Sequence, residues 1–377
     1  MPSTHSPRAG RPAGVPALLL ALLVVGLLLV LVAGWLVLLA FDDGWTRLLW
    51  AVVGVLLFWQ LLPRPRRVPR RAVRMTPAEA PGLDGLAGAV AAAVGARAPS
   101  AVFVDTTYEV HVLPTGYLGG AALVVGLPQW TALDPGERVA ALAHELSCAE
   151  VRRRPAGVLV RLADDVLTSA RTVLRPTASR SGENARGVLQ SIGDLGALGV
   201  GADLAGKQAV RGGTDAVGAA GMTVVAAPVR AVQALLARLW LPVLRYAALE
   251  ADARAAAVAG APAVRGWLLS TTGVPRGLTA ANNAARTPGA DPFTAMESAP
   301  RPEAAELVRR LEGEPAWSRD LEHPPTLERL QALDRPVPTA SAGGIERSAV
   351  AAADAEVFRV RSGLVARFRE ELVHGRS

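Results

Sequence analysis

The sequence predicts an α+β, mainly helical domain that follows an N-terminal membrane hairpin of two helices. Three observations support this fold class: a long uncharged run near the N-terminus, two short strand patterns, and a well-marked helix start at Asp134. Alanine-rich helical patterns account for most of the remaining chain. The length of 377 residues allows one large domain or two smaller ones.

The predicted hairpin covers residues 16–62. Residues 16–41 carry no charge, and this run exceeds the roughly 20 residues that cross a bilayer. A second apolar run, 45–62, contains only Arg47, which lies close enough to the end to reach the head groups. The acidic turn Asp42-Asp43-Gly44 joins the two runs. A cleaved signal peptide is the alternative, but the first run is longer than an ordinary signal and a second follows directly.

Arginines flank the hairpin on both sides. Arg8 and Arg11 precede it, and the Arg/Pro-rich linker 63–75 supplies Arg64, Arg66, Arg67, Arg70, Arg71 and Arg74. Because positively charged flanks stay on the cytoplasmic side, both flanks are expected there. We therefore expect an integral cell-membrane protein in contact with the lipid bilayer. Its tail 1–15, its soluble domain and both termini are expected in the cytoplasm.

The basic composition does not indicate a nucleic-acid partner. The net charge of +7 comes almost entirely from arginine, since Lys207 is the only lysine. Aromatic residues make up only 5% of the chain, and no basic patch alternates with stacking side chains. Cys148 is the only cysteine, so an internal disulfide is excluded.

The predicted soluble domain extends over residues 76–335. Strands are predicted at Ala101–Asp105 and Ala121–Val125 from their β-branched residues and the turn signals between them. Asp134, Pro135 and Glu137 then provide a cap, a first-turn proline and a capping-box spacing for a helix that continues to residue 154.

Two further segments are predicted to be helical. Residues 192–244 carry too many charges for an ordinary spanning helix, so we expect a cytosolic helical insert, with a membrane-embedded or surface-lying segment as the alternative. Residues 336–377 are predicted to form a linker and an amphipathic C-terminal helix outside the domain.

The sequence His144-Glu145-Leu146-Ser147-Cys148 is the most informative motif. It matches the zinc-peptidase pattern HExxH except that cysteine replaces the second histidine. Residues i and i+4 of a helix face the same way, so two imidazoles can bind one metal there while the glutamate activates water.

Three separated elements carry a family resemblance. The segment 141–148 with the motif, the segment 249–256 with Glu250-Ala251-Asp252, and the segment 323–330 with His323-Pro324-Pro325 and Arg329 occur in this order. In this order the chain resembles the membrane-associated zinc metallopeptidases of family forty-eight, which include the CAAX prenyl protease. The resemblance implies a gluzincin-like domain with a small sheet.

The resemblance also implies a role for each matched residue. His144 matches a zinc ligand, Glu145 the general base, and Asp252 an aspartate that supports the site. Cys148 stands at the second ligand position and Ala248 at the third, where the family has glutamate. Two of the three ligands are therefore changed, and alanine cannot bind metal.

The side chains at this site allow more than one role. Because a thiolate holds zinc at only about 2.3 Å, Cys148 is expected to draw a metal away from His144. Glu250 lies about 200° around the helix from Ala248 and is expected to point elsewhere. Cys148 can be a small buried hydrophobe, a metal ligand or a reactive thiol. His323 and His111 are the remaining candidate ligands, and nothing in the sequence places either beside Cys148. His323 and Arg329 are interpreted as turn and packing residues, with a site-lining role as the alternative.

These observations favour a non-catalytic, peptide- or partner-binding pseudopeptidase in which zinc occupancy is doubtful. The docking element is expected at an exposed edge strand with Ala121, Val124 and Val125. The alternative is an active zinc metalloendopeptidase with zinc on His144, Cys148 and a further ligand.

Overall fold

A computed structural model describes residues 14–41, 44–62, 68, 71–115, 120–174, 202–271, 277–301, 303–313, 324–335 and 345–374, with 202–225 as backbone. Three parts of the sequence discussed above lie outside the described residues: the turn residues Asp42 and Asp43, residues 63–67, 69 and 70 of the linker, and the motif residue His323. The strands are β1 (Val73–Met75), β2 (Ala101–Asp105), β3 (Val110–Thr115) and β4 (Gly120–Gly126). The helices are α1 (Val15–Phe41), α2 (Thr46–Leu61), α3 (Pro81–Ala93), α4 (Leu127–Ala132), α5 (Pro135–Arg153), α6 (Pro155–Val173), α7 (Ala202–Ala259), α8 (Ala261–Ser270), α9 (Leu278–Ala285), α10 (Pro292–Glu297), α11 (Ala304–Gly313), α12 (Thr326–Ala332), α13 (Arg347–Arg359) and α14 (Arg361–His374).

The chain divides into two compact units. One comprises Met1–Arg64 with Leu159–Trp240, and the other comprises Pro65–Val158 with Leu241–Ser377. The described part of the chain is mainly helical and contains one small mixed sheet, as the sequence predicts.

In the first unit, α1 packs against α2. The indole Nε1 of Trp35 donates a hydrogen bond of 2.9 Å to the carbonyl of Trp50, and the Trp35 ring lies 5.2 Å from the Phe58 ring. Gly54 leaves the space for this contact, because a Cβ there would lie 2.0 Å from the Trp35 ring. The N-terminal part of α1 packs on α6 and α7 through a small apolar cluster with Ala21 and Leu236.

Two apolar helices of the chain indicate association with a membrane. By length and composition, α1 and the Ala226–Ala259 part of α7 are the described helices that could cross a bilayer. The helix α2 is apolar but has 16 residues, or about 24 Å, which is short of the roughly 30 Å hydrocarbon layer. Exposed leucines along α1 and α2 form an apolar surface of the kind that lipid covers.

The sheet of the second unit has the strand order β1-β2-β4-β3. β2 runs parallel to β4, and β1 and β3 pair antiparallel to β2 and β4 respectively. The prediction of an exposed edge strand at Ala121, Val124 and Val125 is wrong. Their strand β4 lies inside the sheet with partners on both sides, and all three side chains are buried.

The edge strand is β3, which was not predicted because Pro114 and the glycines after it indicate a turn. Gly126 N–H donates to the Glu109 carbonyl, so Glu109 and Gly126 form a hydrogen-bonded pair at the start of the ladder. Because such pairs alternate in antiparallel strands, the backbone groups of Val110, Val112 and Pro114 point away from β4. Proline is tolerated at an outward position of an edge strand because no ladder bond is lost.

The C-terminal helices α13 and α14 belong to the core of the second unit, which differs from the expected boundary at residue 335. Val357 and Phe368 are buried in the same cluster as Leu83 of α3 and Leu142 of α5. Ala80 cannot cap α3, and the Glu356 carboxylate takes over this role by accepting from Gly82 N–H and Leu83 N–H at 3.0 and 2.7 Å.

Glu356→Gln should therefore lower the free energy of unfolding by about 1–3 kcal/mol, because the amide loses the charge and one of the two acceptors. Denaturant unfolding of the full chain in detergent measures this loss. The matched control is Glu370→Gln on α14, since Glu370 is exposed. Equal stability of both variants would show that the α13 contact contributes nothing.

Candidate functional site

Helix α5 positions the motif residues. Its start is fixed as predicted, since the Glu137 carboxylate accepts the Asp134 N–H at 2.9 Å in the capping-box arrangement. His144 and Cys148 lie one turn apart, with exposed fractions of 1% and 7%. Glu145 is half-buried beside them. The Cys148 Sγ lies 3.5 Å from the His144 Nε2, so the two side chains meet on one face of the helix.

Two distant segments meet His144 from other elements. Asp252 of α7 is fully buried and its Oδ1 accepts a hydrogen bond of 2.8 Å from the His144 Nδ1. Arg329 of α12 donates to the same carboxylate through Nε and Nη2, both at 2.7 Å. The structure thus brings together His144, Cys148, Asp252 and Arg329, and the interpretation of Arg329 as a packing residue understates its place in the site.

The Arg329 guanidinium also lies against the imidazole. Its Nη2 is 3.3 Å from the His144 Nδ1 and 3.5 Å from the Nε2. Since Nδ1 donates to Asp252, the guanidinium approaches the ring as a neighbouring cation, with its charge balanced by the shared carboxylate. Arg329 is therefore fixed by two strong hydrogen bonds at the edge of the imidazole.

Trp267 of α8 completes the surroundings of the site and was not anticipated. Its ring centroid lies 4.8 Å from that of His144, and the Arg329 Cζ lies 5.3 Å from it. The indole Nε1 is buried and has no hydrogen-bond partner among the described residues. A single tryptophan in an alanine- and leucine-rich helix carries no motif, so the sequence contains no signal for its position.

Charge at the site is controlled by four groups. Burial would lower the pKa of His144, and the Arg329 guanidinium lowers it further. The interactions with Cys148 and with the Asp252 carboxylate outweigh both effects and raise the pKa of His144 to about 10. The surroundings of the imidazole therefore favour its charged form.

The donor set around His144 does not fit a zinc ion. The Cys148 Sγ lies 3.5 Å from the His144 Nε2, close to the distance of about 3.6 Å between two ligands of a tetrahedral zinc, and the expectation that Cys148 would draw a metal away from His144 stays a prediction. A third donor is missing, since the described residues contain no group of three His, Cys, Asp or Glu side chains suited to a metal. In addition, the Arg329 cation lies beside the His144 imidazole.

The other candidate ligands lie elsewhere. Glu250 pairs with Arg254 at 2.5 Å, which confirms that it points away from Ala248. Ala248 is buried one turn before Asp252 and offers no donor. His111 lies on β3, opposite Val124. The predicted role of His323 falls outside the described residues.

Comparison of the chain with protein-family models, with curated proteins and with solved structures finds no match. The resemblance to zinc metallopeptidases of family forty-eight therefore stays a prediction, and so does the gluzincin-like fold.

Arg329→Met should lower the free energy of unfolding by about 3–5 kcal/mol, because the buried Asp252 carboxylate loses its main partner. Arg310→Met is the control, since Arg310 makes an exposed pair with Glu306 within one helix and should contribute at most about 0.5 kcal/mol. Denaturant titration of both variants gives the comparison. Similar losses would mean that the buried ion pairs do not stabilise the fold.

Proposed function

We propose that this chain is a membrane-anchored protein of the zinc-metallopeptidase type that binds a peptide or a partner protein without cleaving it. One observation supports this above all: the Arg329 guanidinium is fixed beside the His144 imidazole, where a catalytic metal would need a free ring nitrogen. The resemblance at His144, Glu145 and Asp252 supplies the class of protein.

The electrostatics of the site favour a metal-free state. A zinc ion on the His144 Nε2 would lie next to a permanent guanidinium charge, and like charges at this range repel strongly in a buried site. Both oxygens of Asp252 already accept hydrogen bonds from Arg329, so this carboxylate is not available as the third ligand. Ala248 leaves the remaining position without a donor.

The same groups make the site stable without metal. Asp252 joins α7 to α12 and α5 through three hydrogen bonds, so the three elements that a metal would connect are held by an ion-paired network. In our proposal the peptidase scaffold is kept for its shape, and catalysis is lost.

The docking element of the proposed function is β3. This strand ends the sheet among the described residues and packs against α5, the helix that carries His144. The Gln129 side chain accepts the outward N–H of Val110, and Pro114 has none. The outward N–H that an added strand requires is therefore that of Val112, a residue only 4% exposed, which the peptide must uncover as it binds. An extended peptide would then lie along β3 as a further strand.

The membrane hairpin and its orientation belong to the same proposal. The arginines that flank 16–62 favour a cytoplasmic second unit, and the exposed apolar surface of α1 favours a bilayer as its surroundings. The partner is then a cytoplasmic peptide or a membrane protein that reaches β3 from the same side.

Glu145→Gln should leave the function in cells unchanged, because a metal-free site has no bound water for this carboxylate to activate. Val112→Pro should abolish it, because proline removes the outward donor of β3 while keeping the ladder bonds to β4. Complementation of a gene deletion by each variant, at equal membrane expression, measures the two effects. Leu113→Pro is the control that shows the effect of a folding defect, because the Leu113 N–H points into the sheet and its loss removes a ladder bond.

The opposite pattern would contradict the proposal. If Glu145→Gln behaves like the deletion, the chain is an active metallopeptidase, and its site holds a catalytic metal despite the changed ligands at Cys148 and Ala248. If Val112→Pro is folded and fully functional, β3 is not the docking strand.

The combined variant Cys148→His and Ala248→Glu should bind zinc, because it restores the three donors that the family pattern requires and the carboxylate added at position 248 offsets the repulsion between the metal and Arg329. The matched control is Cys148→His with Ala248→Gln, which has the same shape but no carboxylate and should bind at least about tenfold more weakly. Zinc titration of the detergent-solubilised chain gives both affinities. Absence of zinc binding by the first variant would show that the cleft itself has diverged.

A further inference from the structure

Helix α1 extends past the helix that pairs with it in the hairpin. α1 has 27 residues, or about 40 Å, whereas α2 has 16 residues, or about 24 Å. Gly54 of α2 lies against the Trp35 ring. Because the two helices run back along each other, α2 ends at about the level of Leu28. The N-terminal part of α1 therefore has no partner in α2.

Helices α6 and α7 pack on this N-terminal part of α1. Ala17, Ala21 and Val24 follow one face of α1 and are buried in a cluster with Ala163 of α6 and Leu236 of α7. A hydrocarbon layer of roughly 30 Å covers about 20 residues of α1, counted from its C-terminal end. About the first seven residues, which include Ala17 and Ala21, then lie among the head groups. In the first unit, α6 and α7 are therefore at the edge of the layer that α1 crosses.

Three exposed arginines lie on α6 and α7 in this unit. Arg230 and Arg238 of α7 have no ion-pair partner among the described residues, and residues 216–249 contain no Asp or Glu. They lie about 80° apart around the helix and about 12 Å apart along its axis. Arg171 of α6 donates a hydrogen bond of 3.3 Å to the Gln233 side chain, one turn from Arg230. We call Arg171, Arg230 and Arg238 the arginine surface.

The positive charge of the arginine surface comes mainly from α7. On α6, the half-buried Asp164 and Asp165 are matched in number by Arg161 and Arg171. On α7, no carboxylate balances the two guanidiniums, and the exposed Ala234 between them leaves both accessible. An anionic ligand can therefore approach this side of α7 without meeting a like charge.

The arginine surface does not suit a spanning position for this part of α7. From Ala226 onward the helix is apolar and long enough to cross a bilayer. An exposed arginine inside the hydrocarbon layer is costly, however, whereas an arginine at its edge reaches the phosphates of the head groups. Farther along the same helix, Asp252 is fully buried in the site of the second unit. A position of α7 along the edge of the bilayer agrees with both observations.

We propose that the arginine surface binds the head groups of anionic phospholipids. A guanidinium can donate two parallel hydrogen bonds to a phosphate, and a head group with net negative charge adds an attraction that a zwitterionic one lacks. A lipid is favoured over other phosphates because Leu19, Leu22 and Leu23 are half or more exposed in the turns of α1 that α6 and α7 contact. This lipid binding rests on the membrane anchorage of the proposed function and is independent of peptide binding at β3.

The detergent-solubilised full chain should bind phosphatidylglycerol about fivefold more tightly than phosphatidylcholine, because each arginine that meets an anionic head group contributes about this factor. Native mass spectrometry of the chain, titrated with either lipid, resolves each bound lipid and gives both affinities. Arg230→Gln with Arg238→Gln should remove most of this preference, since two of the three guanidiniums are lost. The fold should be retained, because both side chains are exposed and have no ion pair to lose.

The matched control is Arg286→Gln with Arg309→Gln, which removes the same charge from exposed positions of the second unit and should leave the preference unchanged. Inorganic phosphate at constant ionic strength should not displace the lipid, and displacement would mean that the ligand is a free anion. A preference that is absent from the wild type, or equal in the wild type and the Arg230 and Arg238 variant, overturns the lipid surface alone. Flotation of the chain with vesicles tests the membrane anchorage separately, and a chain that does not float contradicts both proposals.

Discussion

The second unit depends on one buried carboxylate. Asp252 accepts hydrogen bonds from Arg329 and His144, and so connects α12, α5 and α7 at a point far from water. A buried carboxylate is tolerated only when its charge is balanced and its oxygens are satisfied. Arg329 supplies the balance, and its position beside His144 then decides what else the site can hold.

A metal bound to the His144 Nε2 would lie next to the Arg329 guanidinium, and the two positive charges would repel each other. In a zinc peptidase the positive charge at the imidazole comes from the metal, whereas here Arg329 provides a permanent cation that already uses both oxygens of Asp252. The replacement of ligands at Cys148 and Ala248 is consistent with such a site, because neither change leaves a buried charge unpaired. The cysteine has the His144 imidazole as its neighbour, with the Sγ 3.5 Å from the Nε2.

Local signals in the sequence predicted the local structure well. The cap at Asp134 gave α5, the β-branched run gave β2, and the spacing of His144 and Cys148 placed both on one face. The remaining features depend on contacts between distant segments. β3 contains a proline that indicates a turn, yet its outward position on the sheet edge makes it acceptable, and β4 was therefore mistaken for the edge. Glu356 and Trp267 act across more than a hundred residues of sequence, where no periodic pattern exists.

The central claim is that a protein cation, and not a metal, occupies the surroundings of His144. Elemental analysis of the full chain, purified in detergent without added metal or chelator and compared with the Cys148→His and Ala248→Glu variant, tests it most directly. The account predicts well below one zinc per wild-type chain and close to one per variant chain. Stoichiometric zinc in the folded wild-type protein would contradict it.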